Sequence, residues 1–356
     1  MKKLLLFLLS VFTFIPNISA STSTAYEYVL MDADSGQILA GKNYNTPALI
    51  ASITKIMTCI LAIESNKLDE TVTVTDIIKK SYGSGIYIEE GEEILLRDLL
   101  YGLMLRSGND ASLMIAEYIS KDVETFVNLM NNKAKEIGMR HTTFVNPSGL
   151  DNTDGGNYST AYDMALLTKY AMKYKEYRKI VKTKSYTVKT NKKTYVWKNK
   201  NKLLKESYIT GGKTGYTEKA KRTLVSTATS DNMNFIVVTI RDSDDWNTHK
   251  DLYQYAFHNY VSYRVLRKNN FNIIGDTYYQ GAFYIKEDTY ITLKKEQLGN
   301  LIGKIILEKK KIYKSNDKVG EYQIYLDNLL LKRVPIYIKN VKHTKILKNK
   351  IGGNIW

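Results

Sequence analysis

Apolar and polar positions change rhythm along this chain, and each rhythm predicts a different element. "AYEYVLMDADSGQILAGKN", residues 25–43, alternates around a DSG turn and predicts a β-hairpin. From Ser52 an apolar run continues to about Ser65 and predicts a helix. Apolar residues at helical spacing then recur in "LLRDLLYGLMLRS", "NDASLMIAEYIS", "VETFVNLMNNKAKEIGM" and "AYDMALLTKYAMKY". Between the last two lies "TTFVNPSGLDNTDGGNYST", whose Gly, Asn and Pro content predicts an extended loop. After about Tyr186 the pattern turns to strands, with "ITGGKTGYT", "RTLVSTATS" and "NFIVVTIRD" as neighbours and a short "DNM" turn between the latter two. One more helix, "WNTHKDLYQYAFHNYV", precedes short Val/Ile/Tyr segments such as "ITLKKEQ" and "EYQIYLDN". The change near residue 262 predicts a separate small β-rich domain.

The first twenty residues belong to neither domain. In "MKKLLLFLLSVFTFIPNISA" two lysines precede an apolar stretch, then Pro16 and a small-residue end at Ser19-Ala20. That order predicts a secretory signal peptide cleaved after Ala20, and the run is short for a membrane span; an uncleaved anchor is the alternative. The sole cysteine, Cys59, excludes an intramolecular disulfide and, inside an apolar run, reads as a packing residue rather than a reactive thiol. Histidines 141, 249, 258 and 343 have no metal-ligand spacing, so no metal and no cofactor is expected. At 356 residues and 44% apolar content, two folded domains are expected. The net charge of +16 is uneven, with 19 Lys/Arg against 8 Asp/Glu from Arg264 onward. Such a surplus suits an anionic membrane or wall polymer, and the export signal disfavours nucleic acid.

Three triplets carry candidate chemistry. Ser52 and Lys55 stand one helical turn apart at a helix head, where a neutral lysine can act as the base that a nucleophilic serine requires. The bland reading is a capping serine beside a solvated lysine. Spacing alone decides nothing, because Ser315 and Lys318 match it inside a polar turn. Ser107-Gly108-Asn109 displays a hydroxyl and an amide at a junction between helices. Lys213-Thr214-Gly215 places a cation, a hydroxyl and an open backbone on a predicted strand edge. A helix cap and a solvated edge are the plain readings of these two.

Taken together, Ser-x-x-Lys, Ser-x-Asn and Lys-Thr-Gly resemble the active-site set of the penicillin-recognising serine enzymes. "ASITKIMT", "RSGNDAS", "FVNPSGLD", "STAYDMALL" and "GGKTGYTEKA" narrow the likeness to the D-alanyl-D-alanine carboxypeptidases, the low-molecular-mass penicillin-binding proteins. Class A β-lactamases share the triplets but carry a Glu-x-x-Leu-Asn loop that is missing between Asp110 and Lys213. The likeness covers about residues 23 to 262 and extends more weakly beyond.

The resemblance implies an α/β (α+β) fold of the β-lactamase and D,D-peptidase type. An antiparallel sheet packed with helices would be followed by a small C-terminal all-β domain. The expected division is a signal peptide over 1–20, a catalytic domain over 21–262, a β-rich domain over 263–340 and a basic tail over 341–356. It implies a peptidoglycan stem pentapeptide ending in D-Ala-D-Ala as substrate and β-lactams as inhibitors. Ser52 would be the nucleophile, Lys55 its base and Ser107 a proton relay helped by Lys213. Asn109 would bind the substrate peptide, Lys213 and Thr214 its carboxylate, and Gly215 would let it lie along the strand. The backbone N–H groups of Ser52 and Tyr216 would hold the oxyanion.

Arg241 in "TIRD" is a candidate carboxylate ligand, or a surface arginine paired with Asp242 or Asp244. Tyr158 stands where some relatives have a histidine, and packing of the loop is its favoured role. The tail "NVKHTKILKNKIGGNIW" is either a membrane contact or a solvated basic segment, and Gly352-Gly353 disfavour the helix that membrane contact would use. Export places the protein at the outer face of the cytoplasmic membrane or beyond. Rival functions are a D,D-endopeptidase or β-lactamase with the same site, and a catalytically silent wall-binding protein.

Overall fold

A computed structural model describes residues 23–341 apart from 154, 274, 275, 277, 280 and 311, together with the backbone of 345 and 346. The expected signal peptide and almost all of the basic tail lie outside the described residues. No described helix is long and apolar enough to cross a membrane.

The first domain is built on a five-stranded antiparallel sheet. Strand β1 (Glu27–Asp32) and β2 (Ile38–Lys42) form the predicted hairpin. β3 (Ile209–Thr217), β4 (Lys221–Ser230) and β5 (Met233–Ile240) follow late in the chain, and the order across the sheet is β2-β1-β5-β4-β3. Joining β1 to β5 brings the two ends of the domain together, with Glu27 opposite Ile240. Alternate residues serve opposite faces. Val29, Met31, Val225, Ile236 and Val238 join the main helical core, while Leu30, Leu224, Phe235 and Val237 pack on α7 (Asp245–Asn259). Both faces are covered, which is why β1 and β5 read as nearly unbroken apolar runs.

Helix α1 (Lys55–Glu64) is buried on every side through Ile56, Met57, Cys59, Ile60 and Ala62. Around it stand α2 (Leu96–Tyr101), α3 (Asn109–Ser120), α4 (Val123–Ile137), α5 (Ala161–Ala171) and α6 (Lys175–Lys182). Three details differ from the sequence expectation. Ser52 lies not in the α-helix but in a 3-10 turn, Ala51–Thr54, that feeds into it. The stretch "LLRDLLYGLMLRS" is a six-residue helix widened into a π turn, Gly102–Arg106, which ends at Ser107. Helix α6 was not expected, because "KEYRKIVK" buries only Tyr177, Ile180 and Val181 and is otherwise polar.

The remainder of the chain is rich in strands. β6 (Val261–Leu266) pairs with β9 (Thr289–Leu293). β7 (Asn270–Phe271), β8 (Ala282–Tyr284), β10 (Leu301–Leu307), β11 (Lys318–Leu326) and β12 (Leu329–Lys339) form a second five-stranded sheet in the order β7-β8-β12-β11-β10. Two small cores hold it, one around Ile291, Leu293 and Ile324, the other around Phe283, Val319 and Ile336.

Cys59 is fully buried in α1, and desolvation raises its thiol pKa. An aromatic disulfide reagent should therefore leave it unmodified in the folded protein and titrate one thiol after denaturation. Rapid native-state labelling would show that α1 is not packed as described.

Candidate active site

The head of α1, the junction before α3 and the edge strand β3 meet at one place. Their meeting depends on close backbone approaches. A Cβ on Gly215 would come within 2.9 Å of Ser52 N and 3.1 Å of Ile53 N, so only glycine lets the strand lie against the 3-10 turn. Ser107 is held at φ 66° and ψ 37°, a left-handed conformation that costs a non-glycine residue about 1 kcal/mol or more. The widened π turn and the start of α3 on either side fix it there.

Lys55 has no exposed surface, and its Nζ has three neighbours. Ser52 Oγ lies at 3.0 Å, Asn109 Oδ1 at 2.7 Å and the Ser148 carbonyl at 2.5 Å. The last two can only accept. A neutral amine therefore gives one hydrogen to each and keeps its lone pair for the Ser52 hydroxyl, which becomes the donor. Burial pushes the pKa of Lys55 well below that of an ordinary lysine, and the cations Lys213 and Lys200 push it further, against the pull of Asp110. Desolvation favours the neutral amine, and the 3.0 Å separation lets that amine take a proton from Ser52.

Lys213 is a second buried lysine. Its Nζ donates to the Thr214 carbonyl at 2.6 Å and lies 3.0 Å from Ser107 Oγ. Burial, with Lys200 nearby, lowers its pKa to about 7. Ser107 thus has beside it a group that can hold or release a proton near neutrality. Thr214 and Tyr216 continue the strand, and the Tyr216 hydroxyl donates outward to Glu218 at 3.1 Å.

Asn109 is 2% exposed and does more than was expected of it. Besides holding Lys55 through Oδ1, it donates from Nδ2 to the Tyr82 carbonyl at 2.6 Å, which fixes the orientation of the amide. Its second amide hydrogen remains for a substrate. Its backbone N–H donates to Ser84 O at 2.8 Å.

The loop that supplies the Ser148 carbonyl is ordered by two asparagines. Asn146 Oδ1 accepts from Ser148 N and Gly149 N, and Asn157 Oδ1 accepts from Val145 N and Asn146 N. Thr58 and Thr54 on the Ser52 side bond to Pro147 O and Asn157 Nδ2. Gly149 adopts φ +83°, and any Cβ there would strike Ala51 O. Tyr158 is 42% exposed in a two-residue strand opposite Leu49, and Gly155 lies under its ring.

Arg241 does not fit the role of carboxylate ligand. Its guanidinium is engaged with Glu27, whose side chain is fully buried, at 3.1 Å from Nε to Oε2 and closer from Nη2 to Oε1. It also stacks over the Tyr26 ring at 4.1 Å. Neither Asp242 nor Asp244 is its partner; the sheet register that sets Glu27 against Ile240 decides the pairing. The sequence reading also missed Ser148 and Lys200. A backbone carbonyl has no residue-type signature, and Lys200 is one lysine among many in "WKNKNKLLK".

Comparison with known proteins agrees with this geometry. Residues 16–244 match the family described as "D-alanyl-D-alanine carboxypeptidase", and residues 280–343 match "Penicillin-binding protein 5, C-terminal domain". D-alanyl-D-alanine carboxypeptidase DacF of Bacillus subtilis is 37% identical over 251 residues, a match covering 68% of this chain and spanning 64% of that protein's length. D-alanyl-D-alanine carboxypeptidase DacC of Escherichia coli is 28% identical over 379 residues, covering 99% of this chain and 92% of that protein. Penicillin-binding protein 5 from Haemophilus influenzae superposes with a TM-score of 0.72 at 28% identity, over 89% of this chain and 97% of that one.

Replacing Arg241 tests the ion pair against a substrate role. Arg241→Ala strands a buried carboxylate, and a loss of about 2 kcal/mol is expected, at the low end for such pairs because the arginine is 38% exposed. Denaturant melts should show that loss while penicillin acylation per folded molecule stays the same. Unchanged stability with weakened acylation would return Arg241 to the substrate.

Proposed function

Because this chain belongs to the D-alanyl-D-alanine carboxypeptidase family, we propose that it removes the terminal D-alanine from peptidoglycan stem pentapeptides through an acyl group on Ser52. The observation that carries this reading is the fully buried Lys55 amine, 3.0 Å from Ser52 Oγ and held by burial well below the pKa of an ordinary lysine.

On this reading, Ser52 Oγ attacks the carbonyl between the two D-alanines as Lys55 Nζ takes its proton. The developing oxyanion sits between the backbone N–H groups of Ser52 and Tyr216, where two donors lower the barrier by several kcal/mol. Collapse of that intermediate breaks the peptide bond. The leaving amine takes a proton from Ser107, which recovers one from Lys213. Thr214 and Lys213 hold the substrate carboxylate. Lys213 is half-charged near neutrality when free, and the arriving carboxylate favours its cationic form. Departure of free D-alanine carries that carboxylate away and opens the place for water; Lys55 gives up the Ser52 proton to solvent, Lys213 regains one from solvent, and the neutral Lys55 amine then takes a proton from the attacking water to release the shortened peptide. A β-lactam acylates Ser52 in the same way, but its leaving amine stays tethered and obstructs water. The protein then works at the envelope, and the basic C-terminal region offers contact to anionic wall polymer or lipid. The proposed division is an exported leader over 1–20, a catalytic unit over 21–262 and a β unit over 263–340, with the tail beyond.

Mature protein incubated with a fluorescent penicillin should carry a stable adduct on Ser52 by gel and mass spectrometry, and Ser52→Ala should carry none. Lys55→Met should acylate at least about 100-fold more slowly, the ordinary worth of a general base. A peptide ending in D-Ala-D-Ala should release one D-alanine per molecule. An intact drug with no adduct on folded protein would favour a silent wall-binding role, and rapid destruction of drug a β-lactamase.

The pH dependence follows from the lysines. Lys55 must be neutral to act, so acylation should rise with pH through its depressed pKa and level off above it. A rate that falls rather than rises with pH while the protein stays folded would show that some other group takes the proton.

A further inference from the structure

Tyr82 lies in the irregular segment between a 3-10 turn, Asp76–Lys80, and a short strand, Glu93–Leu95. It is tied down at both of its ends. Its carbonyl accepts from Asn109 Nδ2 at 2.6 Å, and Asn109 Oδ1 in turn lies 2.7 Å from Lys55 Nζ. Its hydroxyl reaches the other way and donates to the Asp151 carbonyl at 3.0 Å. Asp151 Oδ2 accepts from Thr217 Oγ1 at the end of strand β3, and Lys219 Nζ donates to the neighbouring Asn152 carbonyl at 2.8 Å. A continuous path of contacts thus runs from Thr217 through Asp151, Tyr82 and Asn109 to Lys55. The segment presses closely on the site, since a Cβ on Gly83 would stand 3.3 Å from Asn109 Nδ2 and 3.8 Å from Leu150 Cδ2.

Despite these ties Tyr82 is 60% exposed. An exposed aromatic ring held by its backbone at one end and its hydroxyl at the other has lost its freedom before anything binds, so a ligand laid against it meets little further ordering cost. The path of the peptide past this ring follows from the proposed chemistry of Ser52, on which the inference rests. The scissile carbonyl lies between the N–H groups of Ser52 and Tyr216, and the departing D-alanine has its carboxylate at Thr214 and Lys213. The donor side of the peptide therefore continues beyond Tyr216 toward Thr217, where the bridge through Asp151 to Tyr82 begins.

We propose that Tyr82 is a specificity-determining residue of this site, whose pinned ring is the surface against which the stem peptide lies on the amino-terminal side of the penultimate D-alanine. A side chain on the residue before that D-alanine gains contact with the ring, and a glycine in the same place gains none. Asp151 and Thr217 hold the ring in position for that contact. The site then reads the peptide one residue beyond the pair of D-alanines whose bond it cuts.

The test compares kcat/KM for D-alanine release from the stem pentapeptide and from N-acetyl-glycyl-D-Ala-D-Ala, in the parent, Y82A, Y82F and T217V, each checked by thermal melting. The parent should favour the pentapeptide. In Y82A the ratio of pentapeptide to glycyl peptide should fall about tenfold, the ordinary worth of a small apolar contact in discrimination. Y82F and T217V keep the ring but cut the bridge on either side of Asp151, and the ratio should fall a few-fold in each. They decide the matter if Y82A does not fold. A ratio that stays the same, whether or not both rates drop, overturns the proposal, since mere loosening of the segment disturbs Asn109 and Lys55 whichever peptide is bound. A parent with no preference between the two peptides overturns it as well. A parent that releases no D-alanine from either and forms no penicillin adduct would instead overturn the reading of Ser52.

Discussion

A lysine amine sealed from water at the head of α1 sets the terms for everything around it. An ammonium in that position would face a desolvation cost of several kcal/mol. The neutral amine escapes that cost and stands among two carbonyl acceptors and one hydroxyl, from residues 54, 93 and 3 positions away in sequence. Each partner is itself fixed. Asn109 is held by Tyr82 and Ser84, Ser148 by Asn146, and Ser52 by the 3-10 turn on which strand β3 rests. Loosening any of them leaves a buried amine without its complement.

Strain at the site is carried by packing elsewhere. Ser107 in the left-handed region is tolerable because α1 is enclosed by apolar residues and cannot move aside, and only a glycine at 149 leaves room for Ala51 O. The sheet has helices on both faces, so β3 is held in position against the 3-10 turn. Cys59 and the buried Glu27–Arg241 pair belong to that supporting frame rather than to the chemistry.

The positive charge of the chain is concentrated in two places that act differently. The C-terminal region carries a surplus suited to a polyanionic surface. At the site, Lys55, Lys200, Lys213 and Arg106 are gathered with Asp110 as their acidic neighbour, and that acid is saturated by backbone N–H groups. Burial and the crowding of cations there lower the pKa of all three lysines.

What the sequence determined by itself was the local alphabet. The DSG turn between two short strands made the β1–β2 hairpin, apolar spacing made α1 and α3 through α5, and the three triplets named residues that meet at the candidate site. These follow from nearest neighbours along the chain, where period and turn chemistry suffice. Helix α6 escaped because its apolar face is only three residues wide. The 3-10 turn at Ser52 and the π turn before Ser107 escaped because propensity does not distinguish them from α-helix. Only tertiary structure decided which acceptors close on Lys55, that Arg241 belongs to Glu27, and that Lys200 is tied to Ser84 and Leu105. Backbone carbonyls carry no residue-type signature, ion pairs across a sheet follow register rather than adjacency, and a pKa is set by burial and charge in three dimensions.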